Sequence, residues 1–298
     1  MPDNASSSGA RLSGAGPSLI PVESGSTVDR PRATRRRTRA RVPAPLIIPA
    51  ALALAFLVLP LVGLFVRAPW PTLPQRLAEP EVLEALRLSI VAATLATAVC
   101  LVMGVPLAWL LARVEFPGRR LVRALVTVPL VLPPVVGGLA LLLLLGRRGI
   151  VGQWLDKWFD VTIPFTTTAV VIAEAFVAMP FLVIAVEGAL RGADERYDEA
   201  AATLGASRWT IFRRVTLPLV APGIAAGSVL CWARALGEFG ATITFAGNFP
   251  GRTQTMPLSV YLLLETDPPA AIVLSLVLLA VSVGILVSLR DKWIGSPS

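Results

Sequence analysis

The stretch DEAAATLGASRWTIFRRVTLPL, Asp198–Leu219, carries Asp198, Glu199, Arg208, Arg213 and Arg214 between two long apolar runs. Those charges make it too polar to cross lipid, and its spacing is too regular for an unstructured connector. Gly192 and Asp194 supply a break and an N-cap just before it, and Tyr197, Ala201 and Leu204 fall at i, i+4 and i+7 on one helical face. Gly205 then interrupts the pattern. Ser207 caps a second short helix on which Trp209, Phe212 and Val215 share a face, and Pro218 enters the next apolar run in its first turn, where a missing N–H does no harm. The stretch predicts two short amphipathic helices joined by a glycine bend at a membrane surface.

The flanking chain supplies the membrane. Of 298 residues, 55% are hydrophobic and 15% charged, and the mean hydropathy is +0.72, well beyond a soluble domain of this size. A bilayer demands about 20 apolar residues per crossing helix. Leu46–Val66, Leu88–Ala112, Ala124–Gly146 and Pro268–Leu289 hold no charged residue at all. Thr168–Leu190 contains Glu174 and Glu187, and Val215–Ala233 is followed by Arg234 and Glu238. Both are read as crossings that face protein or water, because an ionisable group facing lipid is costly. The expectation is an all-α membrane protein of about six crossing helices.

Arginine placement orients the bundle, since positive loops stay cytoplasmic. The tail RPRATRRRTRARV (Arg30–Val42), the loop with Arg113, Arg119, Arg120 and Arg123, the opening stretch, and Arg290 with Lys292 are separated by two crossings each. Both termini are therefore expected in the cytoplasm. Arg147 and Arg148 fall on the outer side, offset by Asp156 and Asp160. Eight Arg lie in the first 45 residues against Asp3, Glu23 and Asp29, so most of the net +8 belongs to that tail. The charge is thus a topology signal and an attraction to anionic lipid, with no nucleic acid partner implied. The tail, residues 1–45, is rich in Ser, Gly and Pro without apolar periodicity and is expected to be disordered. Tail and first apolar run are too long for a signal peptide, so 46–67 is expected as a retained first helix.

Several chemistries are excluded. The chain has no His, and Cys100 and Cys231 both fall in crossings without a CxxC partner, so neither a metal site nor a disulfide framework is expected. The cysteines read as small packing residues. Lys157 and Lys292 each follow Asp and precede Trp, so no phosphate-binding loop ending in Gly-Lys-Ser/Thr exists. No catalytic residue and no cofactor is expected. A transporter subunit, a channel, an intramembrane enzyme or an anchor remains.

The spacing of the opening stretch discriminates among these. Glu199-Ala200-Ala201, three residues, Gly205, and then Leu217-Pro218 resemble the EAA signature of permease subunits of bacterial ABC importers, with Val215 where that family usually has Ile. The resemblance implies a type I importer bundle in which segment 191–218 docks on a separate cytoplasmic ATP-binding subunit, through Glu199, Ala200, Ala201 and Gly205, with Leu217 and Pro218 leading into the next helix. Without the family, a helix lying against headgroups would serve equally.

A second stretch, ARALGEFGATITFAGNFPGRTQTMPLSVYLLLE (Ala233–Glu265), is similar to the oxyanion branch of those importers, and its PGRTQTMPLSVY portion to the molybdate permeases. Together the resemblances cover about 86–289 as the transmembrane core. They imply a homodimer in the cell membrane, an extracytoplasmic molybdate-binding protein, and ATP hydrolysis on another chain. Sulfate, thiosulfate or tungstate is the alternative cargo, and an ATP-independent anion channel or secondary transporter the alternative class. Arg234 and Glu238, at i and i+4, pair on one helical face either as a packing device or as part of a path. Glu238 has the wrong sign for a dianion, so Arg234, the hydroxyls of Thr242 and Thr244, and N–H groups near Gly240 are the expected donors. Gly247–Arg252 reads as an outer turn, either a connector or a binding-protein contact. Pro129, Pro133 and Pro134 with Gly137 and Gly138 predict a kink inside one crossing.

Overall fold

The computed structural model describes residues 44–294, with the side chains of 47–285 and 287. The expected disorder of the tail lies outside these residues, as do the side chains of Arg290 and Lys292. By packing, the chain divides into Met1–Leu52 and Ala53–Ser298. Of the first unit the described part is the opening turns of α1 (Ala44–Val66). The second continues α1 and adds a 3₁₀ turn (Trp70–Thr72), α2 (Leu73–Leu77), α3 (Pro80–Arg113), α4 (Arg119–Val131), α5 (Pro134–Leu145) and α6 (Gly152–Phe159). After α7 (Thr167–Gly192) come α8 (Arg196–Thr203), α9 (Arg208–Ile211), a π turn (Phe212–Thr216), α10 (Leu217–Leu236), α11 (Gly240–Phe245), α12 (Met256–Thr266) and α13 (Pro268–Ile294). All regular structure among the described residues is helical.

Among the described residues, five helices are long and apolar enough to cross a membrane: Ile47–Val66, Pro80–Arg113, Thr167–Gly192, Arg208–Leu236 and Pro268–Ile285. The remaining expected crossing, Ala124–Gly146, is not one kinked helix. It is the pair α4 and α5, which meet at 116°. The cause is local: Pro133 forces Leu132 into an extended conformation (ψ 131°), and two consecutive prolines remove two N–H donors from the helical ladder.

α7 lies at the centre, packed by α3, α10, α11 and α4. The contact surfaces are built from small residues: Ala93, Ala96, Cys100 and Ala108 on α3, Ala175 and Ala178 on α7, Cys231 and Ala235 on α10. In lipid, helices gain nothing by hiding apolar surface from apolar solvent, so close van der Waals approach over small side chains holds them. Both cysteines are free and buried. Glu187, nearly buried, accepts from Arg123 of α4 and Arg191, each at 2.6 Å, which ties α4 to α7. Glu174 is buried more deeply still, yet among the described residues it has no Arg partner and its Oε2 has no hydrogen bond. Arg119 and Arg123 donate to the carbonyls of Leu111 and Ala112, capping the C-terminal end of α3. Arg147 and Asp156 pair at 3.0 Å, as their proximity in sequence suggested.

Candidate coupling segment and translocation path

The opening stretch folds in two halves, but the second is not a free-standing helix. α8 begins after Asp194, whose Oδ1 accepts the Arg196 N–H at 3.0 Å. Gly205, with φ +81°, makes the turn in a conformation that costs an L residue about 1–2 kcal/mol. Ser207 Oγ accepts the Thr210 N–H at 3.2 Å, the expected cap. From there α9 runs through the π turn into α10 without a break, so Arg208–Leu236 is one continuous element. The Leu217 N–H bonds Phe212 O, five residues back, and this shifted register arrives one residue before Pro218, which has no N–H to give.

Glu199 and Ala200 are exposed, Ala201 is half-buried, and Gly205 is open, with nothing within 4 Å of an added Cβ. Leu217 is half-buried and Pro218 exposed at the start of α10. Tyr197, Leu204 and Trp209 are 59%, 88% and 68% exposed, large apolar side chains on an otherwise polar element. Between this segment and the end of α3 lies a cleft of about 810 Å³ whose walls include Trp109, Arg113, Asp198, Trp209 and Phe212. The segment is held there by polar ties and by the edge-on contact of Trp109 with Phe212, ring centroids 6.3 Å apart. Arg113, the last residue of α3, bonds Glu195 and lies 3.7 Å from Asp198, and Thr216 donates to Asp198 at 3.0 Å. Sequence reasoning missed this group, using Arg113 only as a topology marker and not separating Asp198 from Glu199.

The second site sits where α10 ends. Arg234 and Glu238 pair at 2.5 Å, and the other Glu238 oxygen accepts the Ala241 N–H at 2.8 Å. Glu238 is 1% exposed, so both of its oxygens are spent fastening α10 to α11. Gly240 lies against Pro134 of α5. Thr244 donates to Gly240 O within its own helix, at 2.8 Å. Thr242 is fully buried and its hydroxyl has no partner among the described residues. The five predicted residues thus come together in space. The group with donors to spare and partial exposure is Arg234, whose side chain is 26% exposed and offers five N–H groups. Ser89 of α3, fully buried, accepts the Met256 N–H at 2.7 Å and anchors α12; nothing in its local sequence announces that.

Residues 104–296 match the family described as the binding-protein-dependent transport system inner membrane component. The chain belongs to that family. It is an inner-membrane permease subunit of the ABC importer class, and a multi-pass membrane protein. It is 48% identical to the molybdenum transport system permease protein ModB of Mycobacterium tuberculosis over 79% of this chain and 89% of that protein. With ModB of Escherichia coli it shares 43% identity, covering 73% and 95%. The sulfate transport system permease protein CysT of Escherichia coli is 39% identical, covering 74% and 80%. Among solved structures, a bacterial ABC transporter that imports the polysaccharide alginate superposes with a TM-score of 0.68 over 85% of this chain and 95% of that one, at 18% identity, a likeness of fold.

Proposed function

We propose that this permease carries molybdate into the cytoplasm as one half of a homodimer, with both termini cytoplasmic. ATP is hydrolysed on a separate cytoplasmic subunit, and an extracytoplasmic protein delivers the anion. The observation that carries the cargo is that molybdenum permeases are matched at 48% and 43% identity over 89% and 95% of their length, against 39% and 42% over 80% and 72% of the sulfate permeases CysT and CysW of Escherichia coli. The margin over sulfate keeps that oxyanion as the second reading, because the two dianions share shape and charge.

In this proposal 86–289 is the transmembrane core and 191–218 the coupling segment. Glu199, Ala200, Ala201 and Gly205 meet the ATPase, and Leu217 and Pro218 lead the movement into α10. The exposed apolar side chains of Tyr197, Leu204 and Trp209 support docking by a protein partner. Along the path, Arg234 contributes the positive charge and the Gly240 N–H a further donor, while Glu238 holds Arg234 in place; the Thr244 hydroxyl is engaged by Gly240 O and the Thr242 hydroxyl is buried, so each donates to the anion only once α11 shifts. Binding there is weak by design of function, since a site that conducts must also release. The test is ATPase stimulation in the assembled transporter by binding protein loaded with molybdate or with sulfate. Stimulation by molybdate alone is expected, and equal stimulation by both defeats the cargo assignment.

A further inference from the structure

α8 is flanked on both sides by bends. Ala193 is extended after Gly192, and Gly205 turns through positive φ with open space around it. A displacement applied to such a helix would be absorbed at the two bends, because backbone alone transmits little force through them. Something must bridge them.

Two carboxylates bridge them, Glu195 to Arg113 alone and Asp198 to both Arg113 and Thr216. Asp198 Oδ1 accepts from Thr216 Oγ1 at 3.0 Å, and Oδ2 lies 3.7 Å from Arg113 Nη2. Arg113 ends α3, its side chain is 12% exposed, and its other terminal nitrogen holds Glu195 at the start of α8. Thr216 is 3% exposed and closes the π turn from which α10 rises. Three elements, α3, α8 and α10, thus meet at Asp198. The neighbouring Glu199 is exposed while Asp198 is partly covered, so of two adjacent acids on one short helix it is Asp198 that is drawn against α3 and α10. A charge-assisted hydrogen bond shielded from water is stronger and stiffer than one at a surface. Single π turns inside helices recur at sites of function.

We infer that Asp198 is the joint of the coupling segment: it passes the segment's displacement to α10 through Thr216 and to α3 through Arg113, and takes no part in docking. This rests on the coupling role proposed above and adds to it the residues that transmit.

The test uses the full chain assembled with its ATPase and binding protein in liposomes. Thr216→Val removes the hydroxyl at nearly constant shape, and Thr216→Ser restores it. Hydrogen exchange of the α8 amides reads the joint without reference to cargo or ATP: it accelerates about fivefold or more in T216V and not in T216S. Anion uptake per ATP hydrolysed then falls by about five- to 150-fold in T216V, the span of ordinary coupling energies, and recovers in T216S. The double variant D198A/T216V is no worse than D198A, since both remove one bond. Unchanged exchange in T216V overturns the joint, and so does faster exchange with uptake per ATP within about twofold of wild type. Gly205→Trp separates the two layers. If it abolishes ATPase binding while T216V is silent, docking stands and the joint falls; if G205W is silent as well, the coupling role falls with it.

Discussion

Replacing Gly138 by alanine tests the close register of α5 against α11. A Cβ there would stand 2.6 Å from the Ala241 carbonyl oxygen, 2.9 Å from Ala241 Cα and 2.9 Å from Thr244 Cβ. Ordinary contact begins near 3.4 Å, so the nearest pair must open by about 0.8 Å. Two of the three obstructing atoms are backbone, so no rotamer change relieves them, and α11 has to move as a body. Overpacking of this kind costs about 1–3 kcal/mol. For chains of 150–250 residues each kcal/mol lowers the melting temperature by about 2–4 °C, which gives an expected drop of about 2–12 °C in detergent. Gly188→Ala on α7 is the control, since nothing lies within 4 Å of its added methyl. Its melting temperature should hold or rise, alanine being the better helix former by about 1 kcal/mol. A G138A protein melting within about 1 °C of wild type would refute the packing argument, and with it the placement of Ala241 and Thr244 against α5.

Glu187→Gln should destabilise by about 1–2 kcal/mol, less than for a fully buried pair because Arg123 and Arg191 are partly exposed, and Arg191→Ala should cost less since it leaves the α4 tie intact; thermal melting of both variants checks the order. Gly205→Ala has room but the wrong φ, so it should raise α8 amide exchange by about five- to 30-fold, with Gly205→Asn intermediate. The Arg76 guanidinium, 2.5 Å from Asp267, holds that carboxyl below its ordinary range. A depressed folded-state value means the contact's contribution is complete above the unfolded value near pH 3.9 and lost as pH falls through the lowered one. The melting temperature of wild type should therefore drop more steeply than that of Asp267→Asn below about pH 4, and parallel curves would contradict the pairing. Asp156, held down in the same way by Arg147, predicts the same comparison for Asp156→Asn.

Much of the architecture was legible because bilayer thickness acts on one-dimensional runs. Five long apolar helices, the Gly205 bend, the Ser207 cap and the Arg234–Glu238 pair each follow from spacing within one segment. The misreadings share a cause. Pro133 and Pro134 read as a kink in sequence, but their steric effect on Leu132 is strong enough to break the helix through 116°. The second half of segment 198–219 reads as a separate helix, but with no breaker between Ile211 and Leu217 the ladder simply widens by one residue and continues. Glu174 and Glu187 looked alike in sequence, yet Arg123 and Arg191 reach Glu187 while Glu174 meets no cation among the described residues.

By itself the sequence determined five of the long apolar helices, the polar segment between two of them, and the family signature within it. Only the tertiary structure decided which faces touch. A lipid-facing side chain and a core-facing one are equally apolar, so the periodicity that marks the inner face of a soluble helix is erased in helices such as α7. The joint of Arg113, Asp198 and Thr216 was invisible for a further reason: Arg113 and Glu195 stand 82 residues apart, and a polar tie across that distance leaves no local pattern. It exists because the end of α3, the body of α8 and the start of α10 meet in space, which folding alone brings about.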